Sequence, residues 1–280
     1  MKIANFFTRV CNLIFLILLP LSVFAQNKAE EHYLQALQNI RNEEWDAAQN
    51  ALEQALKQDP RYIHAIVAQG AVFHQKQEYD NAIHAYNRAL MIFPGHLQAL
   101  YNRGVTRLAQ GDYSGAGKDF NHTLDKNPEH LSARYNRAWL YLQTNDTLKA
   151  MEDIIQCLKQ DPLYLNARLL QAYIQQNQGN ILPALQNYSL IITEDSISAL
   201  AIFNRAHLLL VQGRYAEADN DFSLLARHFP DNTMIRMHWG SALFLSGNKE
   251  AACRIWQKAD ELGAPSAYDL IQRYCVYSFE

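Results

Sequence analysis

Three arginines and three aspartates in this chain are spaced so that they can neutralise one another. Arg103, Arg137 and Arg205 each stand sixteen residues before a carboxylate, respectively Asp119, Asp153 and Asp221. Where the arginine is missing from an equivalent place, the carboxylate is missing too, and Ala51, Ala85, Asn187 and Ile255 stand there instead. Charges that come and go together near a core are paired, because an isolated buried charge is too costly to keep. The chemistry expected is an ion pair that fixes orientation, since an exposed pair contributes only ~0–1 kcal/mol.

The other reactive side chains do not assemble into a catalyst. His64, His74 and His84 are ten residues apart, which puts no two of them on one ligand face of a helix. The sequence contains no His-Glu-x-x-His, Cys-x-x-Cys or Gly-x-Ser-x-Gly string. The stretch from Gly111 to Asp119 holds a Gly-Lys pair, but its glycine spacing is wrong for a phosphate loop and Asp119 stands where a Ser or Thr is needed. The reading is therefore no enzyme, no metal and no cofactor. The net charge of -3, with no Lys/Arg stripe, also argues against nucleic acid as a partner.

What must position the arginine–aspartate pairs is a repeat. Pro60, Pro94, Pro128, Pro162 and Pro230 fall on a period of 34, with Ser196 and Ala264 in the remaining slots. Ala48, Ala82, Ala116, Ala150, Ala184, Ala218 and Ala252 share one position of the period, and Ala36, Gly70, Gly104, Ala138, Ala172, Ala206 and Gly240 share another. Leu52, Tyr86, Phe120, Ile154, Tyr188, Phe222 and Trp256 fill a large-residue position. Each unit contains two amphipathic stretches of helical period separated by a polar turn such as Gln110-Gly111-Asp112. The small residues let the two helices of a unit approach closely, the large residue fills the layer beside them, and the proline ends the second helix. One such hairpin cannot bury its apolar faces alone, whereas a stack of them can.

The combination Gly70, Tyr79, Ala82, Tyr86, Ala89, Pro94 resembles the tetratricopeptide-repeat (TPR) family. The resemblance runs from about residue 29 to 264 and departs from the family pattern at Ile181, Ser196, Lys249 and Ala264. It implies an all-α, right-handed superhelical TPR solenoid of about seven helix-turn-helix repeats, and a protein or peptide partner held in a concave groove. In this family an asparagine on the first helix commonly bonds the backbone of an extended peptide. Carried over, this gives Asn102, Asn136 and Asn204, for which the alternative is a solvated amide. The same surface should carry Tyr101, Tyr135, Trp139, Tyr173, Phe203 and His207, with Val105, Leu108, Leu142 and Leu210, some of which could instead pack between units. A TPR subclass grips C-terminal carboxylates with a basic set, but the slots around Asn102 hold Val67, Ala71, Ser132 and Asn136, which disfavours that use. Two further readings are a structural subunit of an envelope assembly and a carbohydrate-binding accessory.

The two ends of the chain have their own signatures. Lys2 and Arg9, the apolar run from Val10 to Leu21, and the small residues Val23 and Ala25 make residues 1–25 an expected signal peptide. The alternative is an uncleaved anchor, although the run is shorter than the ~20 residues a span needs and Pro20 interrupts it. Loss of this leader removes Cys11 and takes the net charge to -5. The ending Phe24-Ala25-Gln26 resembles exported proteins of Bacteroidetes-type bacteria, which implies a periplasmic address and no integral span after cleavage. At the other end a capping helix is expected from about Ser266 to Tyr274, within a closing segment 265–280. The turn at Gly263-Ala264-Pro265 lies midway between Cys253 and Cys275, so an antiparallel hairpin sets the two cysteines opposite each other. They form either a disulfide, as oxidising compartments permit, or two buried thiols. Cys157 stands in a slot that holds Ala55, Ala89 and Ala259 elsewhere, and reads as a buried thiol.

Overall fold

The computed structural model describes residues 28–275, and the predicted signal peptide and its cleavage site lie outside them. Every regular element among the described residues is an α-helix. The chain divides into two compact units, the first ending at Asp146 and the second beginning at Thr147. The first holds α1 (28–41), α2 (Trp45–Gln58), α3 (Ile63–Gln75), α4 (Tyr79–Ile92), α5 (Leu97–Gln110), α6 (Tyr113–Lys126) and α7 (Leu131–Gln143). The second holds α8 (Thr147–Gln160), α9 (Leu165–Asn177), α10 (Ile181–Glu194), α11 (Ala199–Val211), α12 (Tyr215–His228), α13 (Thr233–Leu245), α14 (Lys249–Glu261) and α15 (Ala267–Tyr274). In both units consecutive helices pack on one another, which is the all-helical repeat fold that the period predicts.

The helix starts carry the period. The even-numbered helices begin at Trp45, Tyr79, Tyr113, Thr147, Ile181, Tyr215 and Lys249, each 34 residues after the last. Each turn inside a hairpin places one residue in the left-handed region, at Glu43, Gln77, Gly111 and Asn145 in the first unit and at Gly179, Gly213 and Gly247 in the second. This residue ends the first helix of the hairpin, and glycine or asparagine takes the conformation with least strain. Glu43 and Gln77 take it without that relief. Ser196, which departs from the proline pattern, leaves its turn unchanged. The Ser198 N–H donates to the Asp195 carbonyl at 3.1 Å, as Tyr164 does to Asp161 and Asn232 to Phe229. The turn is set by that bond, and proline only reinforces it.

Inside each hairpin the small and large positions meet. A methyl group built on Gly70 would come within 2.5 Å of the Tyr86 ring, on Gly104 within 2.8 Å of Phe120, and on Gly240 within 2.3 Å of the Trp256 indole nitrogen. The large side chains are fully buried, and the cores run along each stack as a chain of such contacts. Cys157 is fully buried in the small-residue slot. At the end of the second unit α15 begins at Ala267, in register with α13, and packs on α14. Phe244, Trp256 and Tyr274 stack there around Cys275. The Sγ atoms of Cys253 and Cys275 lie 2.04 Å apart, at bonding distance, and their Cα atoms are 5.8 Å apart.

Candidate functional site

The charged pairs bind helices to one another. Arg103 on α5 grips Asp119 on α6 with both edges of its fork, Nε to Oδ2 at 2.9 Å and Nη2 to Oδ1 at 2.6 Å. Its remaining Nη1 donates to Asn87 on α4 at 2.6 Å, and Arg107 adds a bond to Asp119 Oδ2 at 2.7 Å. The buried Asp119 is thus shared by two arginines, and three helices meet at them. In the second unit Arg205 on α11 holds Asp221 on α12 at 2.8 and 2.6 Å and reaches Ser189 on α10 at 3.1 Å. Arg137 on α7 donates to Asn121 on α6 at 2.7 Å. Arg137 and Asp153 belong to different units, and that pair stays an expectation from the sequence.

Asn187, which reads from the sequence as a missing carboxylate, is the centre of an amide version of the same device. Its amide donates to Gln171 at 3.1 Å and to Gln175 at 2.9 Å, and its oxygen accepts from Arg168 at 3.0 Å. Gln171, Gln175 and Asn187 occupy the places of Arg103, Arg107 and Asp119 two periods earlier. The charges are replaced as a set and the hydrogen bonds are kept.

The predicted contact residues fall on the first helices of the hairpins, α5 and α7 in the first unit and α9 and α11 in the second. In the first unit Asn136 Nδ2 donates to the Tyr101 hydroxyl at 3.0 Å, and the Tyr101 ring lies 4.8 Å from the His130 ring. Asn102 accepts from Gln98 at 2.7 Å and stands beside the Tyr86 hydroxyl, whose pKa it pulls down against burial. A cleft of about 190 Å³ opens here between Ala71, His74, Gln75, Tyr86, Tyr101, Asn102 and Val105. The buried Thr106 hydroxyl donates to the Asn102 carbonyl at 2.8 Å, so His74 Nδ1, 3.0 Å from Thr106 Oγ1, carries the proton. Tyr135 and Trp139 are half-buried on α7.

In the second unit the Tyr188 hydroxyl donates to Gln176 Oε1 at 3.0 Å, and Asn204 stands beside it as Asn102 stands beside Tyr86. Phe203 and His207 stack with ring centroids 6.5 Å apart, and His238 of α13 meets both edge-on at 5.4 Å. Tyr173 on α9 is exposed. Asn102 and Asn136 therefore each have an intramolecular partner. The spacing sets two of the recurring asparagines next to a tyrosine, because Tyr86 and Tyr188 stand sixteen residues before Asn102 and Asn204. Where Phe120 replaces that tyrosine, Asn136 turns to Tyr101 instead. Val105 and Leu108 in the first unit and Leu210 in the second pack partly against the core, the alternative that sequence leaves open for them.

The electrostatics of this surface are simple. Burial raises the pKa of Tyr86 and of Tyr101, against the opposing pull of their hydrogen-bonded neighbours, and pushes Tyr188 up to about 12. Burial lowers His74, and lowers His238 with a smaller contribution from His207. The phenols stay protonated and His74 and His238 stay neutral near pH 7. The result is an uncharged wall of aromatic rings, amides and hydroxyls, able to donate and accept hydrogen bonds and to cover apolar groups.

Family models for the tetratricopeptide repeat match residues 33–97, 69–132, 131–162 and 203–266. No curated protein matches the chain in sequence. Among solved structures, a tetratricopeptide repeat protein from Parabacteroides merdae ATCC 43184 is 22% identical with a TM-score of 0.63, over 88% of this chain and 98% of that one. PilF of Pseudomonas aeruginosa is 20% identical with a TM-score of 0.66, over 77% and 96%. PilW, a type IV pilus biogenesis factor, is 17% identical with a TM-score of 0.64, over 75% and 98%. At these identities the likeness is one of fold.

Proposed function

The chain belongs to the tetratricopeptide-repeat family, and from that premise we propose that it is a non-enzymatic scaffold that captures a protein or peptide segment on the first-helix walls of its units. The observation that carries this reading is the wall built around Tyr101 in the first unit. The Tyr101 ring there is held by Asn136 and His130 rather than left to rearrange, and the cleft beside it lies open. A preorganised aromatic surface with few charges loses little side-chain entropy when a partner docks. In the second unit Phe203, His207, Asn204 and Tyr173 give the same chemistry.

The test is capture of partners crosslinked to the mature protein in its native cells. Trp139→Ala and Tyr135→Ala are each expected to weaken capture about five- to thirtyfold, the loss of a contact worth about 1–2 kcal/mol, with helicity unchanged. Asn136→Ala should weaken it less, by releasing the Tyr101 hydroxyl. Capture unaffected by all three would remove the first-unit wall as the binding surface.

The mature protein is an exported one, cut after Ala25 and working in the periplasm as seven repeats over 29–264 closed by a cap over 265–280. Support comes from the leader composition and from the closeness of Cys253 and Cys275 across α14 and α15. A bridge between them would tie the last helix down where repeat arrays fray. One intact-mass measurement checks both points. Without reductant the mass should be that of a chain starting at Gln26 and lacking two hydrogens, and reductant should restore them. A mass that includes residues 1–25, or that reductant leaves unchanged, would overturn the corresponding part.

A further inference from the structure

We propose that the first unit carries an acid-sensitive latch, in which the imidazoles of His96 and His130 close the starts of α5 and α7 only while unprotonated. His96 Nδ1 accepts from the Ala99 N–H at 3.2 Å, and His130 Nδ1 accepts from the Ala133 N–H at 3.2 Å. The two residues sit one period apart and cap consecutive first helices. At the same position Tyr62, Tyr164 and Ser198 make no side-chain cap, whereas Asn232 caps α13 through Oδ1 to the Ile235 N–H at 3.1 Å.

The chemistry follows from the donor. A backbone N–H can only donate, so Nδ1 must present its lone pair and the ring proton must sit on Nε2. Taking up a second proton fills that lone pair and sets N–H against N–H, at the end of the helix where the dipole already disfavours positive charge. Neither α5 nor α7 has an acidic residue in its first turn to offset this. The group that faces His96 from a neighbouring helix is His64 of α3, with ring centroids 6.4 Å apart, and Phe93 covers it at 6.0 Å. His130 faces Tyr101 of α5, with Glu129 and Arg134 beside it in the chain.

Burial, and then His64, hold His96 below the ordinary histidine range. The folded state therefore binds fewer protons than the unfolded chain. Stability from this group is complete above about pH 6.5 and is lost as pH falls from there through the folded value. His130 touches Tyr101, so opening the latch loosens the wall assigned above to partner capture. That consequence rests on the proposed function, but the latch is tested without any partner.

The measurement is hydrogen exchange on the full chain at about pH 7.5 and about pH 5.5, corrected for intrinsic rates. Protection of the first turns of α5 and α7 is expected to fall roughly fivefold or more in acid relative to the first turn of α13, whose asparagine cap does not titrate. His96→Asn and His130→Asn install the acceptor that Asn232 already provides. They should keep protection at the higher pH and abolish the extra loss at the lower one. Parallel losses in all three helices, or a loss that survives in the asparagine variants, would overturn the latch. Nitrogen NMR of the wild-type imidazoles decides the case even if a variant folds poorly. Nδ1 must be unprotonated in both residues at the higher pH, and a proton on Nδ1 of either one sinks the proposal.

Discussion

Replacing Asp119 with alanine is expected to cost about 3 kcal/mol. The side chain is 4% exposed, while its partners Arg103 and Arg107 are 17% and 22% exposed. Removing the carboxylate leaves two guanidinium groups facing each other across a largely dry site, with repulsion where there was attraction. Breaking a buried pair in this way usually costs ~3–5 kcal/mol, and the partial exposure of both arginines places this case at the lower end. The same reasoning makes Asp221→Ala milder, because only Arg205 is left behind.

The amide set in the second unit supplies the control. Changing Arg103, Arg107 and Asp119 together to Gln, Gln and Asn copies Gln171, Gln175 and Asn187, without the bond that Asn187 accepts from Arg168, where the first unit has Leu100. That triple variant is expected within about 1 kcal/mol of the wild type, since replacing a whole buried ionic group by a neutral, satisfied one is often close to neutral. Asn87 loses its bond from Arg103, but it is half-buried and water can take the place. Urea denaturation followed by circular dichroism reads both variants. An Asp119→Ala loss below about 1 kcal/mol, or a triple variant as unstable as the single one, would show that the site does not depend on charge balance.

What could be read in advance depended on whether a position had one job or two. The period placed helix starts and buried residues because Ala48, Phe120 or Trp256 serves only packing, and packing repeats with the backbone. Arg103 and Asp119 were legible as a pair because opposite charges name each other at fixed spacing. Asn187 was not, because its amide partners Gln171 and Gln175 carry no charge to mark it, and Arg168 stands at a different spacing. The asparagines were legible in position and incompletely in role. A slot gives the face of the helix, whereas the partner depends on the side chains around it, Gln98 for Asn102 and the Tyr101 hydroxyl for Asn136. His96 and His130 as caps went unread for a related reason. Histidine is an uncommon acceptor for a helix start, and only the ring's orientation reveals it.

The same logic of paired positions sets the second large effect, at the closing hairpin. Gly240→Ala is expected to cost about 2–3 kcal/mol, because the added methyl would stand 2.3 Å from Trp256 Nε1 and 2.5 Å from Cδ1. The indole is the largest residue in its slot and is fully buried, with its N–H given to the Met237 carbonyl at 3.3 Å, so it cannot turn aside without losing that bond. It also stacks on Phe244 and lies near Tyr274, so the strain passes directly to the packing of α15. The preceding hairpin shows the remedy. There Ala206 and Phe222 are both fully buried in the corresponding positions, so an alanine is compatible with a single aromatic ring. Trp256→Phe should therefore recover at least half of the Gly240→Ala loss, although alone it costs about 1 kcal/mol for the smaller ring and the missing hydrogen bond. A thermal-denaturation double-mutant cycle gives the coupling between the two sites directly. If the two losses simply add, the glycine is not there to make room for the indole, and the size-matching account of these hairpins fails at its tightest contact.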